Sequence, residues 1–186
     1  MLELLRIRNF ALIDAIEVEF DPGLNVLTGE TGAGKSIIVE ALNLVLGARA
    51  SAEVVRAGAA RAEVDAVFRL NNMSLRLQKL LEEHDLELEN GLLVLSRSIM
   101  PDGRSRAYIS GRPVTLSVLS TFGDELVDFH GQHDHQSLLR AELQLDLLDS
   151  FAHAEANAQT VREGVETLRD LERKIAELEV RDREKE

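Results

Sequence analysis

Apolar and polar residues alternate with a period of two over residues 2–8, and again from Ala15 to Phe20. In the second run Ile16, Val18 and Phe20 take one side and Glu17 and Glu19 the other. A two-residue period places one set of side chains on one face of a strand, so both runs predict half-buried strands. Asp21-Pro22-Gly23 is a turn signal, and the apolar run Leu24-Asn25-Val26-Leu27-Thr28 after it predicts a buried strand. Ile37 to Leu46 has the composition of an apolar helix. Ala62 to Leu70 alternates again, with Val64, Ala66, Phe68 and Leu70 on one side. Leu75 to Leu81 has helical spacing. Leu92–Ile99 and Arg104–Ile109 flank Pro101-Asp102-Gly103 and predict a hairpin. Val114 to Phe122 predicts a short helix and Leu126-Val127-Asp128-Phe129 a buried strand. Helical segments follow to Leu148, with Ser137 as a candidate cap.

From about Ala152 the pattern changes. Val161, Leu168 and Ile175 fall at one heptad position, and Gly164, Leu171 and Leu178 at its partner position. This a/d stripe of under four heptads predicts the root of a coiled coil, with an ordinary amphipathic surface helix as the alternative. The expected organisation is a body over 1–150 and a helical arm over 151–186, the arm cut off in mid-element.

Composition narrows the class. Hydrophobic residues are 45 % of the 186, enough for a core. No apolar run is long enough to span a membrane, and the N-terminus lacks the basic start and long apolar stretch of a signal peptide. The chain has no cysteine, which excludes disulfides and thiolate metal sites and is compatible with the reducing cytoplasm expected for it. Net charge is −12, from 21 basic and 33 acidic residues, and it is spread along the chain. Any nucleic-acid contact must therefore be local or supplied by a larger assembly.

The candidate chemistry centres on Gly29-Glu30-Thr31-Gly32-Ala33-Gly34-Lys35-Ser36, which matches the phosphate-loop pattern G-x-x-x-x-G-K-[ST] at every fixed position. Glycines let backbone N–H groups turn inward onto a phosphate, and the following helix start adds partial positive charge. Lys35 is placed to reach β- and γ-phosphates, and the Ser36 hydroxyl to ligate Mg²⁺. A second candidate region is His130-Gly131-Gln132-His133-Asp134-His135-Gln136. His130, His133, Asp134 and His135 admit a zinc reading, although four ligands in one short loop make a poor cage. Asp128 admits a self-contained kinase or GTPase reading, against which no D-x-x-G or N-K-x-D motif occurs. Arg97, Arg104, Arg106 and Arg112 are the basic concentration of the body. Arg104 and Arg106, on one face of a hairpin strand, are candidates for contact with DNA phosphates or with acidic groups of another lobe.

Taken together, Ile7-Arg8-Asn9-Phe10-Ala11-Leu12-Ile13, the segment Gly23 to Ser36, Pro101 to Ile109 and the His130–Gln136 string resemble the N-terminal lobe of the SMC-like ATPases of the ABC-type class. The Glu30-Thr31 pair inside the phosphate loop and the histidine string are the specific parts, and the resemblance covers essentially the whole chain. It implies an α/β P-loop head lobe with a mixed sheet, followed by the start of a coiled-coil arm. It implies ATP and Mg²⁺ as ligands, with Gln132, rather than Gln136, reaching Mg²⁺ and the attacking water. Arg56 sits where such heads carry an arginine loop, and Arg8-Asn9-Phe10 where they contact adenine or ribose. The Walker B carboxylate and signature motif are absent, so the resemblance implies an incomplete catalyst. Its expected partners are a C-terminal lobe of the same protein, a second head engaged through ATP, and DNA through the assembly. The implied process is recombinational repair of DNA double-strand breaks in a bacterial, nucleoid-associated protein. A nucleotide-driven assembly module without significant turnover is the alternative.

Overall fold

The computed structural model describes residues 1–29, 34–71, 73–129 and 141–183. It divides into two compact units, Met1–Val127 and Asp128–Glu186.

The first unit is built on one six-stranded sheet: β1 (Leu2–Phe10), β2 (Ile13–Glu19), β3 (Ala62–Arg69), β4 (Leu92–Ile99), β5 (Ser105–Ile109) and β6 (Arg112–Val114). Their order is β2-β1-β3-β4-β5-β6 and every pairing is antiparallel. Any parallel pairing of a mixed sheet thus lies outside these six strands. Alternation sets the faces as the sequence predicts. Leu5 and Ile7 of β1, Val64, Ala66 and Phe68 of β3, Leu93, Leu95 and Ile99 of β4 and Ile109 of β5 are all buried on one side. That side is covered by α1 (Lys35–Val45), which packs on β1, β3 and β4, and by α3 (Leu116–Leu126), which packs on β5. A smaller helix, α2 (Leu75–Glu83), packs on α3, with the His84 and Phe122 rings 6.0 Å apart. Ser74 and Thr115 cap α2 and α3, each accepting a hydrogen bond from the N–H three residues on.

Two glycines permit the closest approach in this core. A β-carbon on Gly47 would lie 2.5 Å from the Ser120 Cα, and one on Gly123 would lie 3.0 Å from the Leu46 carbonyl carbon and closer still to its oxygen. The backbones at the end of α1 and the middle of α3 therefore touch directly.

Two expected strands are absent. Leu24–Thr28 has no secondary structure, with Leu24 92 % and Val26 70 % exposed. An apolar run becomes a buried strand only where a neighbour takes its backbone hydrogen bonds, and none of the six strands lies beside it. Residues 126–129 are not a strand either, because α3 continues to Leu126 and the Val127 N–H bonds back to the Gly123 carbonyl. Strand β6 and a 3₁₀ turn at Ala52–Val54 are additional to the predicted elements.

In the second unit α4 (Ala141–Phe151) packs on α5 (Glu155–Arg183), a single helix of 29 residues. The heptad side chains Val161, Leu168, Leu171, Ile175 and Leu178, with Val165, are 40–65 % exposed. No helix among the described residues is long and apolar enough to cross a membrane.

Candidate functional site

The second half of the phosphate loop is built on the start of α1. Gly34 is the residue before the helix, with φ +90°, a conformation that costs a side-chain-bearing residue 1–2 kcal/mol or so and glycine little. No atom lies within 4 Å of where its Cβ would stand, so it is the backbone angle, and not space, that requires glycine. The first turn of α1 carries no acidic residue and no side-chain cap, which leaves its N–H groups and the positive end of the helix to whatever sits in the loop. Lys35 is half-buried and its Nζ donates to the Gly29 carbonyl. Ser36 is exposed. Upstream, the Asn25 side chain ties the Asp21–Asn25 turn, donating to the Asp21 carbonyl at 2.7 Å and accepting from the Asp21 N–H at 3.0 Å. Glu30, Thr31, Gly32 and Ala33 lie outside the described residues, as do His130, Gln132, His133, Asp134, His135, Gln136 and Ser137.

The far end of α1 is held as firmly as its near end is open. Arg97, on β4, is 2 % exposed. Its Nη1 donates to the carbonyls of Leu44 (3.3 Å) and Ala48 (3.2 Å) at the end of α1, and its Nη2 to the Ser105 hydroxyl (3.1 Å). A cation at a helix C-terminus meets the negative end of the dipole. No carboxylate pairs with it among the described residues, and burial pushes its pKa down. Arg97 is thus separated from the surface arginines with which the sequence grouped it: its alternation with Leu93, Leu95 and Ile99 places it on the core face.

The remaining arginines stay accessible. Arg104 is held in the hairpin turn by Asp102 (2.6 Å), so it does not share a strand face with Arg106. Arg106 and Arg112 are exposed on β5 and β6. Arg56 braces the β1–β2 hairpin, its Nη1 donating to the Leu12 carbonyl at 3.2 Å with the Asp14 carboxylate 4.0 Å away. Its own N–H bonds to the Asn9 carbonyl. Arg8 is exposed, Asn9 has φ +51°, and Phe10 is fully buried in the core, which leaves only the first two of that trio open to a ligand.

An uncapped helix start behind a glycine loop, on a helix anchored in an antiparallel sheet, defines the class as a P-loop ATPase head. The chain belongs to the AAA domain family, which matches residues 4–186. Its sequence is similar to DNA repair protein RecN: 44 % identical to that of Halalkalibacterium halodurans over 99 % of this chain and 33 % of that protein, and 48 % identical to that of Vibrio cholerae over 83 % and 28 %. The chain therefore spans about a third of the length of the curated relatives it matches. In fold it is similar to the Pyrococcus yayanosii Smc head domain with a coiled coil and joint, with a TM-score of 0.56 and 24 % identity over 89 % of this chain and 35 % of that one.

Proposed function

We propose that this chain is the ATP-binding lobe of an SMC-like head that acts in recombinational DNA repair. The observation that carries this reading is the asymmetry of α1. One end is clamped by Arg97 and by α3, and the other presents Gly34, Lys35 and uncapped N–H groups behind a matching phosphate-loop sequence, in a chain similar to RecN. Residues 1–150 form the head lobe and 151–186 the base of the arm.

The donor set fits a nucleoside triphosphate with Mg²⁺. The α1 N–H groups and the Lys35 ammonium supply positive charge where phosphoryl oxygens would gather, and the exposed Ser36 hydroxyl is a hard oxygen ligand. Bound Mg²⁺ would neutralise phosphate charge. Lys35, whose Nζ donates to the Gly29 carbonyl, would turn to a phosphate oxygen, a charged acceptor that makes a stronger hydrogen bond. Gln132 can accept and donate without carrying charge, which suits a residue that touches both the metal and the attacking water. This lobe alone binds, and hydrolysis requires a C-terminal lobe and a second head to supply the Walker B carboxylate and signature motif. The exposed stripe on α5 is the seam for a returning arm helix, since apolar a/d side chains are buried by a partner. Arg56, Arg104, Arg106 and Arg112 are candidates for DNA or interlobe contact.

The test is nucleotide binding and turnover in the complete protein. Lys35→Ala should weaken ATP binding and abolish hydrolysis, whereas Gln132→Ala should bind ATP and hydrolyse it poorly, with Gln136→Ala milder. Wild-type turnover in folded Lys35→Ala protein would end the reading. Binding without turnover in the wild type, with or without DNA, would favour the assembly-module alternative.

A further inference from the structure

The turn between α4 and α5 is built against the preferences of its own residues. The His153 N–H bonds to the Ser150 carbonyl at 3.1 Å and the Ala154 N–H to the Asp149 carbonyl at 2.8 Å, the pair of bonds that commonly closes a helix on a glycine. Here the left-handed position belongs to His153, with φ +52°. Glycine is the usual occupant, because a β-carbon strains the backbone there. The apolar contact that normally supports such a turn would fall between Ala154 and Asp149, a pair that cannot supply it. Helix α5 then starts without help. The Ala154 carbonyl accepts from the N–H groups of Asn157 and Ala158, both at 3.0 Å. Alanine has no side-chain oxygen for a free N–H of the first turn, as serine or aspartate would.

The same residues suit an unbroken helix. No glycine or proline occurs between Gly131 and Gly164. Ala152, Ala154, Glu155 and Ala156 are strong helix formers, so the sequence carries no signal that stops α4 from running on into α5. Straightening would release His153 from its left-handed angle and close helical hydrogen bonds through the turn. The packing of α4 on α5 opposes this. It leaves Leu145, Leu148 and Phe151 of α4 61 %, 61 % and 86 % exposed, so these apolar side chains gain little from the bend. A local preference that opposes the observed shape, with modest packing on the other side, sets two states close in energy.

We propose that residues 152–154 are a hinge that interconverts two forms of the second unit, the bent pair of α4 and α5 and one continuous helix over residues 141–183. At 1.5 Å per residue the straight form is about 64 Å long. The bent form is shorter, so the hinge changes both the reach and the direction of this helical segment. A ligand or partner shifts the balance by its difference in affinity for the two forms. The hinge is independent of the nucleotide reading, since it shares no residue with the phosphate loop.

The test uses the absence of cysteine from the chain. Gln144→Cys and Glu166→Cys, both at exposed positions, take spin labels, and pulsed electron–electron double resonance reads the distance between them. The two sites lie about 33 Å apart along a straight helix and closer in the bent form. Two distances are expected in the labelled protein with His153 in place. His153 is exposed, so its substitution leaves the packing of the two helices in place. His153→Gly should raise the ratio of bent to straight form about tenfold, because glycine accepts the left-handed angle and weakens a helix. His153→Ala should lower the ratio about threefold, because alanine favours the helix. A single distance common to all three proteins, or ratios that fail to move in opposite directions, would overturn the proposal.

Discussion

Replacing Gly123 by alanine should destabilise the first unit, although the same change in an ordinary helix stabilises it. An unconstrained helical Gly→Ala gains up to about 1 kcal/mol, because alanine has less backbone freedom to lose. At Gly123 the new Cβ would meet the Leu46 carbonyl group, with its carbon and the Leu46 Cβ both at 3.0 Å. Main chain cannot rotate away as a side-chain tip can, so α1 and α3 must separate. Overpacking of this kind costs about 1–3 kcal/mol, and contact with backbone in a buried site puts Gly123 at the upper end. The net loss expected is about 2 kcal/mol, or a fall of roughly 1 M in the urea midpoint for a slope near 2 kcal/mol/M. Urea unfolding followed by circular dichroism measures it. Gly164 is the matched control: it is helical, with nothing within 4 Å of its Cβ position. Gly164→Ala should therefore raise the stability of α5 by about 0.5 kcal/mol. A midpoint that stays or rises in Gly123→Ala would refute the close backbone packing of α1 on α3.

Arg97→Met should cost about 3 kcal/mol by urea unfolding, because it keeps the stem but leaves the Leu44 and Ala48 carbonyls without their buried donor. A loss below about 1 kcal/mol would mean that water replaces the guanidinium. The Glu3 carboxyl is held below its ordinary pKa, first by its hydrogen bonds from Arg69. A depressed folded-state pKa gives stability that is present above the unfolded value and lost as pH falls through the folded one. The stability difference between wild type and Glu3→Gln should therefore be constant at neutral pH and shrink on acidification below roughly 4, and a difference that grew on acidification would contradict the pairing. Leu168→Asp, in the exposed stripe of α5, should change the stability of this chain by less than about 0.5 kcal/mol. It should disrupt the arm in the complete protein, as judged by limited proteolysis.

What was legible in the sequence followed from local rules. The strands that became β1 to β5 could be read because a period of two admits one face to a core, and the turn at Pro101–Gly103 because its residues preset the backbone. The phosphate loop and the heptad stripe are periodic or fixed-spacing signals of the same local kind. Non-local relations were not legible. Leu24–Thr28 has the composition of a buried strand, but burial depends on a neighbour, and composition does not reveal whether one is present. Charge alone groups Arg97 with Arg104, Arg106 and Arg112. The alternation through Leu93, Leu95 and Ile99 held the better signal and placed it inside. Gly47 and Gly123 lie 76 positions apart, and nothing local marks them as one contact.

The fastening of α1 makes it a cantilever. Its root is fixed by the Arg97 guanidinium and by the backbone of α3, and its tip carries Lys35 and Ser36. Eleven residues at 1.5 Å each give a beam about 16 Å long, so a tilt of about 5° at the root moves the tip by roughly 1.4 Å. Hydrogen bonds to a phosphate tolerate only about 0.5 Å of that. The grip of the loop is therefore set partly at positions 47, 97 and 123, none of which touches a ligand, and substitutions there would register as altered affinity at the other end of the beam.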